Sequence, residues 1–129
     1  MMIRNRAFLA DVPAHNPRPK RMADPRYLAW VRQLPCVLCL RQPGMGHQNE
    51  AHHLLRGVVR GMGMKAGDDE VIPLCDGDHR ALHMDGNETE FLAKRGIDCA
   101  VSLAAMIRTA YLMGDIGRAR AAVINARAR

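Results

Sequence analysis

Apolar residues first recur at helical spacing between Asp24 and Leu34, where DPRYLAWVRQL sets Tyr27, Leu28, Val31 and Leu34 along one side. Asp24 is a good N-cap, Pro25 suits the first helical position because its missing N–H would have no partner there, and Pro35 ends the run. Glu50 to Val59 predicts a short strand carrying His52 and His53, and Gly57, Gly61, Gly63 and Gly67 then mark a loop. Val71, Ile72 and Leu74 around Pro73 predict a second strand over Glu70–Leu74. Asp76 to Met84 reads as a helix stopped near Gly86, and Glu88 to Arg95 as another broken by Gly96. Asp98 is the expected cap of a longer helix from about Cys99 to Met113, and the Ala/Arg-rich stretch from Gly114 to Arg129 is helix-prone.

Strand, loop, strand and helix in the middle of the chain, with helices on either side, predict an α+β fold. Residues 1–22 contain Pro13, Pro17 and Pro19 with Arg4, Arg6, Arg18, Lys20 and Arg21, lack a periodic apolar pattern, and read as an extended basic arm. Residues 23–98 hold the central unit, and residues 99–129 form a C-terminal helical extension.

The length of 129 residues suits one core. A formal charge of +6 points to an acidic partner, with nucleic acid as the first candidate. No apolar run is long enough for a transmembrane helix, and the N-terminus lacks the pattern of a signal peptide, so a cytoplasmic protein is expected. In that compartment cysteines serve more often as metal ligands or free thiols than as disulfides. Aromatic residues make up only 4% of the chain, which leaves the core to aliphatic side chains and to any staple that the four cysteines can supply.

Cys36-x-x-Cys39 is the spacing of a metal knuckle, and Cys75 follows the second strand directly. The position that would complete a second C-x-x-C is Asp78, whose carboxylate is also a zinc ligand type, while His47 and His79 compete for the fourth place. Cys99 fits no pair spacing and reads as a packed thiol. His79 and His83, four apart on the predicted helix, share a face and can hold a single ion. Adjacent strand residues point to opposite sides, so His52 and His53 divide two roles between them: one ligates, the other works on substrate.

The ordered strings LPCVLC, EAHHLLRG, GMGMKAGDDEVIPLC, DHRALH and RGID, spanning Leu34 to Asp98, resemble the HNH endonuclease family. The likeness is greatest to its phage and prophage branch with a zinc knuckle, similar to the recombination-enhancing nucleases. The resemblance implies a small ββα-metal core in residues 23–98. It also implies that His53 is the general base, that His52, His79 and His83 hold a catalytic divalent metal such as Mg²⁺, and that Asp68 orders the loop or orients the base. Asp68 stands where the family name has Asn, and Asp78 where relatives carry Cys or His. Structural Zn²⁺ at Cys36, Cys39, Cys75 and Asp78 would supply the staple that the thin core calls for.

The expected activity is a metal-dependent DNA endonuclease or nickase, with a recombinase or another phage DNA-processing protein as a partner in a bacterial or phage-infected cell. Arg56, Arg60 and Lys65 flank the active segment as candidate phosphate contacts. Lys65 is followed by Ala66, so the loop glycines do not make a P-loop. The alternative is a zinc-stabilised DNA-binding or recombination accessory module without catalysis. The spare histidine beside a ligand separates the two, because a purely structural site has no use for it.

Overall fold

A computed structural model describes residues 22–44, 46–55 and 66–127. The basic arm up to Arg21 and the three candidate phosphate contacts, Arg56, Arg60 and Lys65, lie outside the described residues. The chain folds into helices around a small two-stranded antiparallel sheet, an α+β arrangement.

Helix α1 (Pro25–Val31) begins where the sequence places its cap, with Asp24 Oδ1 accepting from the Tyr27 N–H at 3.2 Å. Strands β1 (Glu50–His53) and β2 (Val71–Leu74) pair with Glu50 opposite Leu74, Ala51 opposite Pro73, His52 opposite Ile72 and His53 opposite Val71. Every residue of β2 is buried, which explains its unbroken apolar pattern. Pro73 has no N–H to give, but its carbonyl accepts from Val37 N–H at 3.0 Å and ties the C-x-x-C turn to the sheet.

Helix α2 (Asp76–Asp85) follows β2 at once. The Cys75 sulfur caps it by accepting from the Asp78 N–H, and Gly86 closes it in the left-handed conformation, φ 85°. Helix α3 (Glu88–Lys94) is capped by Asn87, and α5 (Ile116–Asn125) by Asp115. Helix α4 (Ala100–Leu112) departs from expectation at its start: the cap is the Cys99 sulfur, accepting from Ser102 N–H at 3.4 Å, not Asp98. Cys99 is exposed rather than packed, because a capping side chain must turn back over the open end of its own helix.

Residues 99–127 share the core of the central unit. Helix α4 packs on β2 and α5 on α4, so Leu103, Ala104, Ile107, Ala119 and Val123 enter the same core as Val31, Leu34, Ile72, Leu74 and Leu82. Each large aliphatic side chain buried there contributes roughly 1.5–3 kcal/mol. Three of the few aromatics gather at the seam of α1 and α4, where Tyr27 lies 4.8 Å from Tyr111 and Trp30 lies 5.1 Å from Tyr111, centroid to centroid. The Arg108 guanidinium sits over the Tyr27 ring and also holds the Asp24 carboxyl below its ordinary range. Among the described residues no helix is long and apolar enough to cross a membrane.

Candidate functional site

Two clusters of metal-ligating side chains flank the junction of β2 and α2. The first is built on the turn after α1. Cys36 N–H donates to Arg41 carbonyl at 3.0 Å, and Leu40 N–H to Cys36 carbonyl at 2.8 Å, closing a tight loop that Leu40 enters with a left-handed φ of 61°. That conformation costs a side-chain-bearing residue about 1 kcal/mol. The buried amide of Asn49 spans the loop's base, donating to the carbonyls of Leu34 at 2.8 Å and Arg41 at 3.0 Å.

Cys36 and Cys39 then face Cys75 and Asp78 from the start of α2. Cys39 and Cys75 sulfurs are 3.7 Å apart, and Asp78 Oδ2 lies 3.3 Å from Cys36 Sγ and 3.2 Å from Cys75 Sγ. All four ligand atoms lie within 4.8 Å of one another, close enough to hold one metal ion. Tetrahedral Zn²⁺ with its usual bond lengths would set sulfurs roughly 3.8 Å and sulfur and oxygen roughly 3.5 Å apart, so the spacing fits. Burial raises the Cys36 and Cys75 thiols above their ordinary value. Asp78 stands with the thiols; His79 turns elsewhere, and His47 pairs its backbone with Gly44 in a turn.

The second cluster joins β1 to α2. His52, 2% exposed, points from β1 toward the helix, where His79 and His83 occupy successive turns. His52 Nδ1 is 3.0 Å from His79 Nε2, which is 3.0 Å from His83 Nε2. All three imidazole nitrogens lie within 4.8 Å of one another, close enough to hold one ion, and the two 3.0 Å contacts are near the roughly 3.3 Å separation of tetrahedral Zn–N bonds.

Carboxylates hold the far sides of two of these rings. Glu88 Oε1 lies 2.5 Å from His52 Nε2, and its Oε2 accepts from the Leu55 N–H at 2.9 Å. Glu50 Oε1 bonds His79 Nδ1. A carboxylate is acceptor-only when ionised, so it fixes the proton on the nitrogen it faces and leaves the other nitrogen's lone pair inward.

His53 takes the opposite side of β1. Its side chain is 34% exposed, and its Nε2 is 2.8 Å from Asp68 Oδ1. With the proton held on Nε2, Nδ1 is the nitrogen that can accept one. Asp68 itself is buried, with its Oδ2 accepting from Asp24 N–H at 2.8 Å and its own N–H donating to the Met22 carbonyl.

Glu50, Glu88 and Asn49 join the site without being among the residues expected from the sequence. Glu50 had a usable signal, because it sits two residues before His52 and strand alternation puts both on one face. Glu88 and Asn49 had none, since what defines them is burial against segments distant in the chain.

Residues 11–114 match the family described as "Protein of unknown function (DUF968)". A relative from Escherichia coli (strain K12), "Uncharacterized protein YdfU", is 39% identical over 69 residues, which cover 54% of this chain and 18% of that protein's length. No solved structure matches the chain.

Proposed function

For a chain that belongs to this family of unknown function, we propose a metal-dependent DNA endonuclease or nickase of the HNH type, with β1, β2 and α2 as its ββα-metal core. The observation that carries the reading is the divergence of two neighbours: His52 turns into the histidine cluster and His53 turns out toward Asp68. A structural site would have no need for the second imidazole, whereas hydrolysis needs a base and a cation on the two sides of one phosphate. The resemblance of the sequence to HNH endonucleases supports the same reading.

In this mechanism Asp68 fixes the proton of His53 on Nε2, and Nδ1 takes the proton from the attacking water. His52, His79 and His83 would hold the catalytic ion, and three nitrogen donors suit a transition-series ion such as Zn²⁺, Mn²⁺ or Ni²⁺ better than Mg²⁺, which prefers oxygen ligands. Bound there, the cation would stabilise negative charge on the phosphate and the leaving oxygen. Cys36, Cys39, Cys75 and Asp78 form a closed set of three thiolates and one carboxylate that suits structural Zn²⁺. Arg56, Arg60 and Lys65 complete the proposal as phosphate contacts, and the formal charge of +6 favours a polyanionic partner.

The test is incubation of the purified protein with supercoiled, single-stranded and branched DNA in turn with Mg²⁺, Mn²⁺, Ni²⁺ and Zn²⁺. Nicked or linear product is expected, and His53→Ala should lower the rate by about a hundredfold or more with its metal content unchanged. Equal cutting by His53→Ala sinks the assignment of the base. Failure to cut any form with any ion sinks the nuclease reading and leaves the non-catalytic DNA-binding module.

A further inference from the structure

We infer that Arg108, on α4 and outside the strand–helix unit, is a positioning residue for His53, acting through Asp24 and Asp68. The inference rests on His53 serving as the base.

The contacts form a continuous relay. His53 Nε2 bonds Asp68 Oδ1 at 2.8 Å, Asp68 Oδ2 accepts from Asp24 N–H at 2.8 Å, and Asp24 Oδ2 accepts from Arg108 Nη1 at 2.8 Å. The three links join residues 15, 44 and 84 positions apart in sequence, so no local propensity explains them. Each link has little freedom. Asp68 is 5% exposed and is pinned a second time through its backbone N–H to Met22 carbonyl. Asp24 uses its other oxygen to cap α1, and that bond sets the direction in which its N–H points at Asp68. Arg108 is confined between solvent and two rings, 4.7 Å from Tyr27 and 5.5 Å from Tyr111.

An imidazole that is one-third exposed needs such an anchor. Free rotation of the ring would offer the wrong nitrogen to water for much of the time, and a carboxylate that could itself swing would not prevent it. The relay places the final restraint on α4, whose Ile107 and Ala110 are fully buried in the common core. Loss of Arg108 frees Asp24 Oδ2, loosens the approach of Asp24 N–H to Asp68, and lets His53 sample other orientations. The proportion of correctly aligned enzyme falls, while the surface that binds DNA is untouched.

Four variants of the full chain test this. Arg108→Met keeps the stem and removes the guanidinium. Asp24→Ser keeps a helix cap and removes the partner of Arg108. Arg108→Lys restores a cation, and Ile107→Val is a control that trims the neighbouring core without touching the relay. The readouts are kcat and KM for DNA cleavage and the ring nitrogen NMR shifts of His53, which report its tautomer without requiring activity. Arg108→Met and Asp24→Ser should each lower kcat roughly fivefold at unchanged KM and move His53 from one tautomer toward a mixture. Arg108→Lys should recover most of both effects, and Ile107→Val should show neither. His53 shifts unchanged in Arg108→Met and Asp24→Ser overturn the inference, as does an equal kcat loss in Ile107→Val. Should the wild type cut no DNA, the nuclease reading fails, and the ring shifts still decide whether the relay orients His53.

Discussion

His52 Nε2 lies 2.5 Å from Glu88 Oε1, and the two side chains are 2% and 4% exposed. A buried imidazole and a buried carboxylate each lose hydration, and their mutual hydrogen bond offsets much of that loss. The same contact holds the His52 lone pair on Nδ1, toward His79 and His83.

Glu88→Gln should therefore weaken metal binding at the histidines by about tenfold, because the amide can offer its oxygen to His52 or to the Leu55 N–H but not to both. Calorimetric titration with Zn²⁺ or Ni²⁺, after the cysteine site is filled, measures the change. Binding as tight as in the wild type would show that Glu88 serves packing alone.

The thiols should make the protein's stability depend on metal and pH together. Burial raises the folded Cys36 and Cys75 values above the ordinary 9.0, so the folded state keeps protons that the unfolded chain gives up. The sign is then fixed: stability of chelator-treated protein holds below pH 9 and declines as pH rises beyond it. Zn²⁺, which binds thiolates, should raise the melting temperature and remove the decline. Thermal unfolding from pH 7 to 10 with and without chelator checks this, and identical profiles would refute a metal at Cys36, Cys39, Cys75 and Asp78.

Asn49→Ala should destabilise the fold by about 2 kcal/mol, since it leaves the Leu34 and Arg41 carbonyls without their amide partner beneath the C-x-x-C loop. The loop's hold on zinc should weaken as well. Denaturant unfolding and competition with a chromogenic chelator read the two effects separately, and a variant as stable as wild type would show that the amide is replaceable.

Most of the elements were legible because their signals are local. Asp24 before Pro25 and Gly86 after Asp85 each act within one turn, and both mark real helix ends. The start of α4 differs from the sequence expectation because Asp98 and Cys99 both carry side chains that can cap, and the backbone places Cys99 at the cap position. The cysteine pair and the i, i+4 histidines are legible from spacing alone, whereas the fourth place beside the cysteines stays open among Asp78, His47 and His79, and strand alternation separates His52 from His53 without saying which one ligates.

The sequence by itself determined which residues could ligate and which way neighbours on a strand must point, since both follow from residue chemistry and backbone geometry over a few positions. Only the tertiary structure decided that Asp78 and not His79 joins the cysteines, that Glu88 backs His52, and that α4 reaches the surroundings of His53 through Arg108 and Asp24. Those are pairings between segments far apart in the chain. They are chosen by which faces the common core brings together, and no spacing along the sequence encodes that.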